Sequence, residues 1–377
     1  MTSADDEKAR RIAAIRSCDR VLSHGKPPTM RERLARLAGR DDLDGPVDMY
    51  GDGIVAELEH RVAGLLGTEE AVWFPTGTMA QQVALRCWAG RTGNPVVALH
   101  PLAHPEMHER GALSALSGLR TVHPTTARRI PDADEVRGMD EPFGTLMLEL
   151  PLRDAGFVLP TWDELTAVVD AARERDAVVH FDGARLWECP PHFGHPLDEI
   201  AGLADSVYVS FYKSLGGVSG AALAGPADFA AEARTWRHRY GGLVFQQWPA
   251  VLAALDGLDH ELPRLPEYVA HAKGVAAALR DALAAAAGWV RVHPEVPHTH
   301  QFQVWLAESP DVLNEATVRQ AEETKTALFG RWTPAEVPGV AMTEVTVGAS
   351  ALEWDAAGIA EAVADFTVFL AEARAGA

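Results

Sequence analysis

The stretch SVYVSFYKSLGGVSGAALAG, residues 206–225, decides the fold of this chain. It opens with an apolar run rich in Val, Tyr and Phe, which predicts a short buried strand that ends just before Lys213. A stretch dense in glycine and other small residues follows, and this composition predicts a tight turn. A lysine in this place, between an apolar strand and a turn that only small residues can make, points to a role for its amine.

Similar short apolar runs occur through the first two thirds of the chain, with helical patterns between several of them. The predicted strands are AVWFPTG at 71–77, PVVALH at 95–100, TLMLEL at 145–150, AVVHFD at 177–182 and SVYVSF at 206–211. The clearest helical pattern covers residues 161–175. Alternation of strands and helices predicts an α/β fold whose sheet is covered on both faces.

After about residue 260 the pattern changes. An alanine-rich helix is predicted at 268–288, followed by isolated strands at 300–306 and 341–347 and by an apolar helix that closes the chain. We therefore predict an N-terminal segment, a large α/β domain and a small C-terminal α+β domain. Their predicted ranges are 1–25, 26–260 and 261–377.

The composition argues against several classes of protein. The 377 residues include 34 basic and 53 acidic ones, and the formal net charge is −19. No basic stretch is dense enough to follow phosphates, so we expect no nucleic-acid partner. The widely spaced Cys18, Cys87 and Cys189 predict a reducing compartment rather than a disulfide framework. The polar N-terminus and the lack of a membrane-length apolar run predict a cytoplasmic protein with no membrane partner.

Polar groups follow three of the predicted strands. They are Thr76-Gly77-Thr78, Asp182-Gly183-Ala184-Arg185 and Lys213. In open α/β sheets, ligands bind beyond the carboxyl ends of the strands, so these groups are expected to converge. Lysine condenses with an aldehyde, a carboxylate holds a ring nitrogen protonated, and helix-start amides bind phosphate. This combination predicts pyridoxal 5'-phosphate as the cofactor.

Six blocks, in order, resemble the threonine aldolase and β-eliminating lyase family of pyridoxal-phosphate enzymes. They are DMYGDG (48–53), FPTGTMA (74–80), HPEMHERG (104–111), HFDGARLWE (180–188), the Lys213 segment and WRHRYGG (236–242). The resemblance runs from about residue 20 to the C-terminus. It implies the aminotransferase-like fold of type I, with a large mixed-sheet domain and a small C-terminal domain. It also implies a homodimer or homotetramer that acts on a small amino-acid substrate.

The resemblance implies a role for each matching residue. The implied catalytic residues are Lys213, which forms the Schiff base, Asp182, which pairs with the pyridine nitrogen, and His104, which stacks on the ring. The implied cofactor-binding residues also include Gly77, Thr78 and Arg185, and the implied substrate-binding residues are Arg185, Ser23, Tyr50 and Glu109. Without the resemblance, Asp182 predicts a helix cap, Gly77-Thr78 an ordinary turn and Arg185 a surface ion pair. No metal site is predicted, because prolines make HPEVPHTH (293–300) a loop.

Some positions depart from the family pattern. The family's Asn-Thr-His run after the strand glutamate is replaced by Leu150-Pro151-Leu152, which follows Glu149. Phe245 stands where an arginine usually reaches a phosphate, and Arg237 and Arg239 are alternative donors. The second carboxylate-binding arginine is also missing, and the residues near its place are Thr343, Glu344 and Arg331. An early Ser-Asp-Thr pattern is reduced to Ser23-His24-Gly25. These changes predict a less polar substrate pocket.

The reaction that the resemblance implies is cleavage of a β-hydroxy-α-amino acid to glycine and an aldehyde. The implied base that takes the proton of the β-hydroxyl is His104, directly or through water, and His108 is the second candidate. β-Elimination or racemisation of another amino acid is the alternative within the same cofactor chemistry. A noncatalytic binding protein on the same scaffold is disfavoured, because Lys213 is present.

Overall fold

The computed structural model of the chain describes residues 4–40, 43–287 and 289–376. The strands are β1 (Arg20–Val21), β2 (Glu70–Phe74), β3 (Val96–Ala98), β4 (Arg120–Val122), β5 (Thr145–Glu149), β6 (Val178–Gly183), β7 (Ser206–Ser210), β8 (Ala221–Gly225), β9 (Val290–His293), β10 (Gln301–Leu306), β11 (Thr326–Ala327), β12 (Thr333–Pro334) and β13 (Ala341–Thr346).

The helices are α1 (Ala4–Arg16), α2 (Met30–Ala38), α3 (Ile54–Leu66), α4 (Gly77–Thr92), α5 (His104–Met107), α6 (Ala112–Ser117), α7 (Ala133–Arg137), α8 (Trp162–Arg173), α9 (Pro190–Phe193), α10 (Leu197–Ala201), α11 (Ala227–Arg239), α12 (Trp248–His260), α13 (Leu265–Ala287), α14 (Pro310–Thr324) and α15 (Ala356–Gly376). Short 3₁₀ helices are Leu186–Glu188, Leu262–Arg264 and Ala349–Glu353. The elements form two compact units, one of residues 36–265 and one of residues 1–35 with 266–377.

A seven-stranded mixed sheet forms the centre of the unit of residues 36–265. The strand order is β2–β8–β7–β6–β5–β3–β4. Strand β8 is antiparallel to both of its neighbours, and the strands from β7 to β4 are parallel to one another. The carboxyl ends of β2, β3, β5, β6 and β7 therefore lie at one edge of the sheet. Glu149 and Asp182 are directly paired across β5 and β6 at that edge.

Helix α4 packs against this sheet through a core of buried residues. Thr76 caps the helix, because its side chain accepts a hydrogen bond from the amide of Met79 (3.3 Å). Near the other end of the helix, Trp88 stacks on Phe229 with ring centres 4.9 Å apart. The indole of Trp88 also donates to the hydroxyl of Ser206 on β7 (2.7 Å). These contacts fix the start of α4 at the edge where the strands end.

The second half of the stretch at 206–225 is a strand and not only a turn. Strand β8 consists of five buried residues, AALAG, between β2 and β7. Alanine and glycine have low strand propensity, so the local sequence does not predict this strand. Two of the glycines before it are required by the protein's own packing. A side chain at Gly220 would overlap the indole of Trp73, and one at Gly217 would lie 2.7 Å from the Phe211 carbonyl.

The second compact unit is composed of an N-terminal segment, residues 1–35, and a C-terminal segment, residues 266–377. Its sheet is antiparallel, in the order β12–β13–β10–β9, and the short β1 pairs in parallel with β11. Residues on β13 alternate between buried and half-buried, as expected for a sheet with one face on a core. Ala14, Cys18 and Val21 share a buried cluster with residues of α14 and β11. The predicted domain ranges, 1–25, 26–260 and 261–377, stay a prediction.

The predicted elements correspond to observed ones with small shifts at their ends. The alanine-rich helix begins earlier than predicted, at Leu265, and residue 288 lies outside the described residues. All three cysteines are buried with free thiols. Across the described parts of the chain, no helix combines the length and apolar character that a membrane crossing needs.

Candidate active site

Lys213 lies in the turn that follows β7. The turn is closed by backbone hydrogen bonds from Gly216 to the Lys213 carbonyl (3.1 Å) and from Gly217 to the Phe211 carbonyl (2.8 Å). Burial, and then the nearby Arg185 guanidinium, lower the pKa of the Lys213 amine to about 8, against the opposing effect of Asp182. A larger fraction of this amine is therefore neutral near physiological pH than in an exposed lysine, as a nucleophile requires.

Asp182 is the last side chain of β6 before its terminal glycine, and it is almost completely buried. Burial raises the pKa of its carboxyl, while Lys213 and His104 act to lower it. One carboxyl oxygen accepts a hydrogen bond from the amide of Ala184 (3.1 Å). A buried carboxyl of this kind is best stabilised by a cationic partner, so it is suited to a protonated ring nitrogen.

Glu149 lies next to Asp182 on the neighbouring strand, and the sequence alone predicts no role for it. Burial, and then the Asp182 carboxylate, raise the pKa of Glu149 to about 7. Its two oxygens accept from backbone amides, Oε2 from His104 (2.7 Å) and Oε1 from Arg153 (3.2 Å). Glu149 thus anchors the start of α5 to the end of β5. Its position as a carboxylate at a strand end was the signal that could have identified it.

His104 and Glu109 form a pair at this edge of the sheet. Nδ1 of His104 lies 3.2 Å from Oε1 of Glu109. The side-chain amide of Gln82 donates a hydrogen bond to Oε2 of Glu109 (3.2 Å). This contact with Glu109 raises the pKa of His104 against the opposing effect of burial, and Asp182 adds to it. The structure therefore brings His104, Glu109, Asp182 and Lys213 into one electrostatically connected group.

The start of α4 fits a phosphate. The first amides of a helix have no partner within it, and they attract anions. Gly77 brings the helix start into close contact with β7, because a side chain at this position would overlap the Tyr208 hydroxyl. The hydroxyl oxygen of Ser210, at the end of β7, is buried without a hydrogen-bond partner. Thr78 is exposed beside these groups. Together with Lys213, these donors match the chemistry of pyridoxal phosphate.

Arg185 follows Asp182 and does not form the surface ion pair that its sequence alone would predict. Its Nε is buried without a hydrogen-bond partner, and its guanidinium lies over the ring of Phe157, 5.3 Å from the ring centre. Arg185 is also close enough to lower the pKa of Lys213. A half-buried guanidinium in this state is suited to a ligand carboxylate.

Two predicted substrate residues are not joined to this group by any of the contacts described above. Tyr50 is 59% exposed and packs edge-on against Phe245, with ring centres 5.3 Å apart. Ser23 belongs to the other compact unit, where its hydroxyl accepts from the amide of Thr346 (3.1 Å). Arg331 lies in that same unit, near enough to Arg11 to lower the pKa of Arg11. The roles predicted for Ser23 and Tyr50 stay predictions.

Arg237 and Arg239, the alternatives to the family's phosphate-binding arginine, both contact other side chains of the protein. Nη1 of Arg237 donates to the Trp73 carbonyl (2.8 Å) and to Glu59 (3.2 Å), and its side chain is buried. Arg239 lies over the ring of Trp236, 4.4 Å from its centre. Arg237 therefore contributes to the packing of α11 against β2. Within the described ranges, the structure gathers no group of three or more His, Cys, Asp or Glu side chains suited to a metal ion.

The sequence matches known proteins over most of its length. The profile of the β-eliminating lyase family matches residues 26–304. A low specificity L-threonine aldolase of Escherichia coli K12 is 31% identical over 242 residues, which cover 62% of this chain and 72% of that protein. Low-specificity L-threonine aldolase 1 of Arabidopsis thaliana is 28% identical, over 63% of this chain and 67% of that protein.

Solved structures show the same architecture. A protein of Listeria monocytogenes, named as a candidate L-allo-threonine aldolase, has a TM-score of 0.88 and 33% identity, covering 96% of this chain and 99% of that one. A candidate aromatic amino acid β-eliminating lyase/threonine aldolase of Exiguobacterium has a TM-score of 0.87 and 34% identity, with the same coverage. A Leishmania major threonine aldolase, at 18% identity and a TM-score of 0.67, shares the fold. The predicted fold class is confirmed.

Proposed function

Because the chain belongs to the threonine aldolase and β-eliminating lyase family, we propose that it is a pyridoxal-phosphate-dependent carbon–carbon lyase. It cleaves a β-hydroxy-α-amino acid to glycine and an aldehyde. One observation carries the proposal: Lys213 is a half-buried lysine whose amine has a pKa of about 8, near Asp182 and Arg185 at the carboxyl edge of the sheet. That setting favours a neutral nucleophile between an anion suited to a protonated ring nitrogen and a cation suited to a substrate carboxylate.

The cofactor's groups are assigned to residues of one unit. Lys213 would hold the aldehyde carbon, Asp182 would hold the ring nitrogen, and His104 would pack on the ring. Gly77 and Thr78 bind the phosphate through the start of α4. Buried carboxyl, amine and hydroxyl groups support these assignments. When bound, pyridoxal phosphate accepts the electron pair that is released at the substrate's α-carbon.

The substrate is held mainly by charge. Arg185 binds the α-carboxylate, since its planar guanidinium can donate to two oxygens. Glu109 acts through His104, whose ring it holds at 3.2 Å. Ser23 and Tyr50 are proposed as further substrate contacts. Leu150 and Leu152, which stand in place of the family's Asn-Thr-His run, offer no polar side-chain atoms to a substrate and are fully buried.

That apolar run also supports a second candidate within the same chemistry. A pocket with fewer polar groups for a β-hydroxyl favours β-elimination or racemisation of another amino acid. Product identity separates the candidates: purified protein is incubated with L-threonine, L-allo-threonine, serine and cysteine. Glycine plus aldehyde supports the proposed function, and pyruvate or a racemised amino acid contradicts it.

The lysine assignment has its own test. Lys213→Ala should lose the absorbance band of the bound cofactor and the adduct that borohydride fixes to the protein, with turnover reduced to background. Lys273→Ala, at an exposed position on α13, is the matched control and should keep both. A borohydride-fixed adduct that persists in Lys213→Ala would assign the covalent bond to another lysine.

We also propose a homodimer or homotetramer located in the cytoplasm. The support for assembly is a set of exposed apolar side chains around the contact of Tyr50 with Phe245, which includes Val47, Met49 and Val244. Buried free thiols support a reducing compartment. Light scattering on the purified protein tests the assembly, and a monomeric mass at working concentration contradicts it.

A further inference from the structure

A second histidine–carboxylate pair lies beside His104. His108 directly follows α5, and its backbone amide donates to the His104 carbonyl (2.9 Å). The two imidazole ring centres are 5.2 Å apart. Nε2 of His108 lies 2.6 Å from Oδ2 of Asp154, a residue 46 positions away along the chain. Asp154 thus holds His108 at close range to the histidine that is assigned to the cofactor ring.

Asp154 is itself held in place. Its backbone carbonyl accepts a hydrogen bond from the guanidinium of Arg128. Its other carboxylate oxygen lies 3.5 Å from Nη1 of Arg153, and its side chain is only 19% exposed. A bridge between Leu152 and Val158 closes the turn that carries it. The carboxylate is therefore presented to His108 from an ordered turn next to the end of β5.

The pair determines which nitrogen of His108 can accept a proton. An ionised carboxylate can only accept hydrogen bonds, so Nε2 of neutral His108 carries the proton that is donated to Asp154. The other ring nitrogen, Nδ1, is then an acceptor, and among the described residues nothing donates to it. The His108 side chain is 40% exposed, so a small molecule can reach it. An aspartate that orients a histidine in this way is a common arrangement for a general base.

His104 is less suited to that task. Its Nδ1 already lies against Glu109, at 3.2 Å. Packing on the cofactor ring, the role proposed for His104, would also occupy one face of its imidazole. The run after Glu149 offers Leu150 and Leu152, which have no polar side-chain atoms. The polar pair that remains beside His104 is His108 with Asp154.

Resting on the proposed function, we propose that His108 is the general base of the cleavage and that Asp154 is its positioning residue. Nδ1 of His108 takes the proton of the substrate's β-hydroxyl. The electron pair of that O–H bond becomes the second bond of the aldehyde carbonyl as the Cα–Cβ bond breaks. The electron pair of the broken bond stays with the α-carbon. A proton delivered to that carbon completes glycine, so no oxidant or reductant is needed.

The test uses a reaction that does not need a β-hydroxyl. Exchange of the α-proton of glycine in heavy water requires the cofactor and Lys213, but no base at the β-position. His108→Gln should lower kcat for aldehyde release from L-threonine or L-allo-threonine by about 10²- to 10⁴-fold, the usual contribution of a general base. The same variant should keep glycine exchange, cofactor absorbance and Tm close to those of the wild type. His195→Gln is the control, because Nδ1 of His195, in the bend before α10, has a similar pair with Glu199 at 2.7 Å.

Asp154→Ala is tested by a signal other than turnover. In the wild type, nitrogen NMR of labelled histidine should show His108 with its proton on Nε2, and in Asp154→Ala the population should shift toward Nδ1. Its kcat for cleavage should fall with little change in KM for glycine exchange. A role limited to folding would lower Tm and both reactions together, and that result would overturn the assignment.

Two different results would overturn the role of the His108–Asp154 pair and the proposed function. Equal aldehyde release from the wild type and His108→Gln overturns the role of the pair alone. A wild type that exchanges the glycine α-proton but releases no aldehyde from any β-hydroxy amino acid overturns the proposed function, and the role of His108 with it. Loss of aldehyde release with preserved exchange supports both.

Discussion

The chemistry of Lys213 depends on its surroundings more than on its own side chain. An ordinary lysine has a pKa of about 10.4 and is almost entirely protonated at neutral pH. Burial beyond β7 lowers the pKa of Lys213 to about 8, with help from Arg185. A lowered pKa means that the neutral form appears at lower pH than it would in water. The residue is therefore prepared to attack an aldehyde.

This gives a prediction for pH dependence. The rate at which cofactor-free protein combines with pyridoxal phosphate should rise with pH and level off above about pH 8, because the neutral amine attacks. Stopped-flow absorbance over a pH series measures the midpoint. Glu149→Gln should move the midpoint lower, since the Glu149 carboxylate acts to raise the pKa of Lys213. A midpoint near that of free lysine would contradict the assigned environment.

Asp182 gives a second prediction at this scale. Asp182→Asn keeps the size of the side chain and can still accept from the Ala184 amide, so the protein should fold with a Tm near that of the wild type. It loses the charge that holds a ring nitrogen protonated, so kcat should fall by orders of magnitude. Steady-state kinetics with calorimetry tests both parts. Unchanged kcat would show that another group pairs with the ring.

At the scale of elements, helix α4 contains two glycines with opposite requirements. Gly77 opens the helix against the Tyr208 hydroxyl, and Gly90 lies exposed near its end with no heavy atom where a side chain would project. Gly77→Ala should destabilise the protein by about 1–3 kcal/mol through overpacking. Gly90→Ala should stabilise it by about 0.5–1 kcal/mol, since alanine favours the helix. Urea unfolding measures both, and equal effects would contradict the packing of the helix start.

Strand β8 shows where local prediction fails for an element. The apolar run of β7 has strong strand propensity, so its sequence predicts a strand. The AALAG sequence of β8 lacks that propensity. Alanine and glycine form a strand here because β2 and β7 provide hydrogen-bond partners on both sides. Small side chains are also needed, since Gly220 packs directly on Trp73. These are tertiary causes, and the local pattern does not contain them.

At the scale of the molecule, the segment of α1 and β1 contributes to a buried core. Val21 and Leu22 are buried, and β1 pairs with β11 more than 300 residues later. Deletion of residues 1–25 should lower the free energy of unfolding by several kcal/mol, because each buried aliphatic side chain contributes about 1.5–3 kcal/mol. Calorimetry tests this. Arg10→Ala is the comparison, because it removes only exposed ion pairs with Glu315 and Glu322. It should change the free energy of unfolding by at most about 1 kcal/mol.

Most strands of the large sheet could be predicted from the sequence, because strand periodicity and turn residues are local signals. Lys213, Asp182 and Gly77 stand at the ends of such apolar runs, and their functional roles stay predictions. The fold class and the family followed from the order of these segments, and the comparisons confirm both.

Only the tertiary structure decided how these residues act on one another. The pairing of Glu149 with Asp182, the contact of His108 with Asp154 and the use of Arg237 in packing all join residues that are far apart in sequence. Burial and neighbouring charges then set the pKa values of Lys213 and Glu149. Electrostatic energies depend on distance and on exclusion from water, and both exist only once the chain is folded.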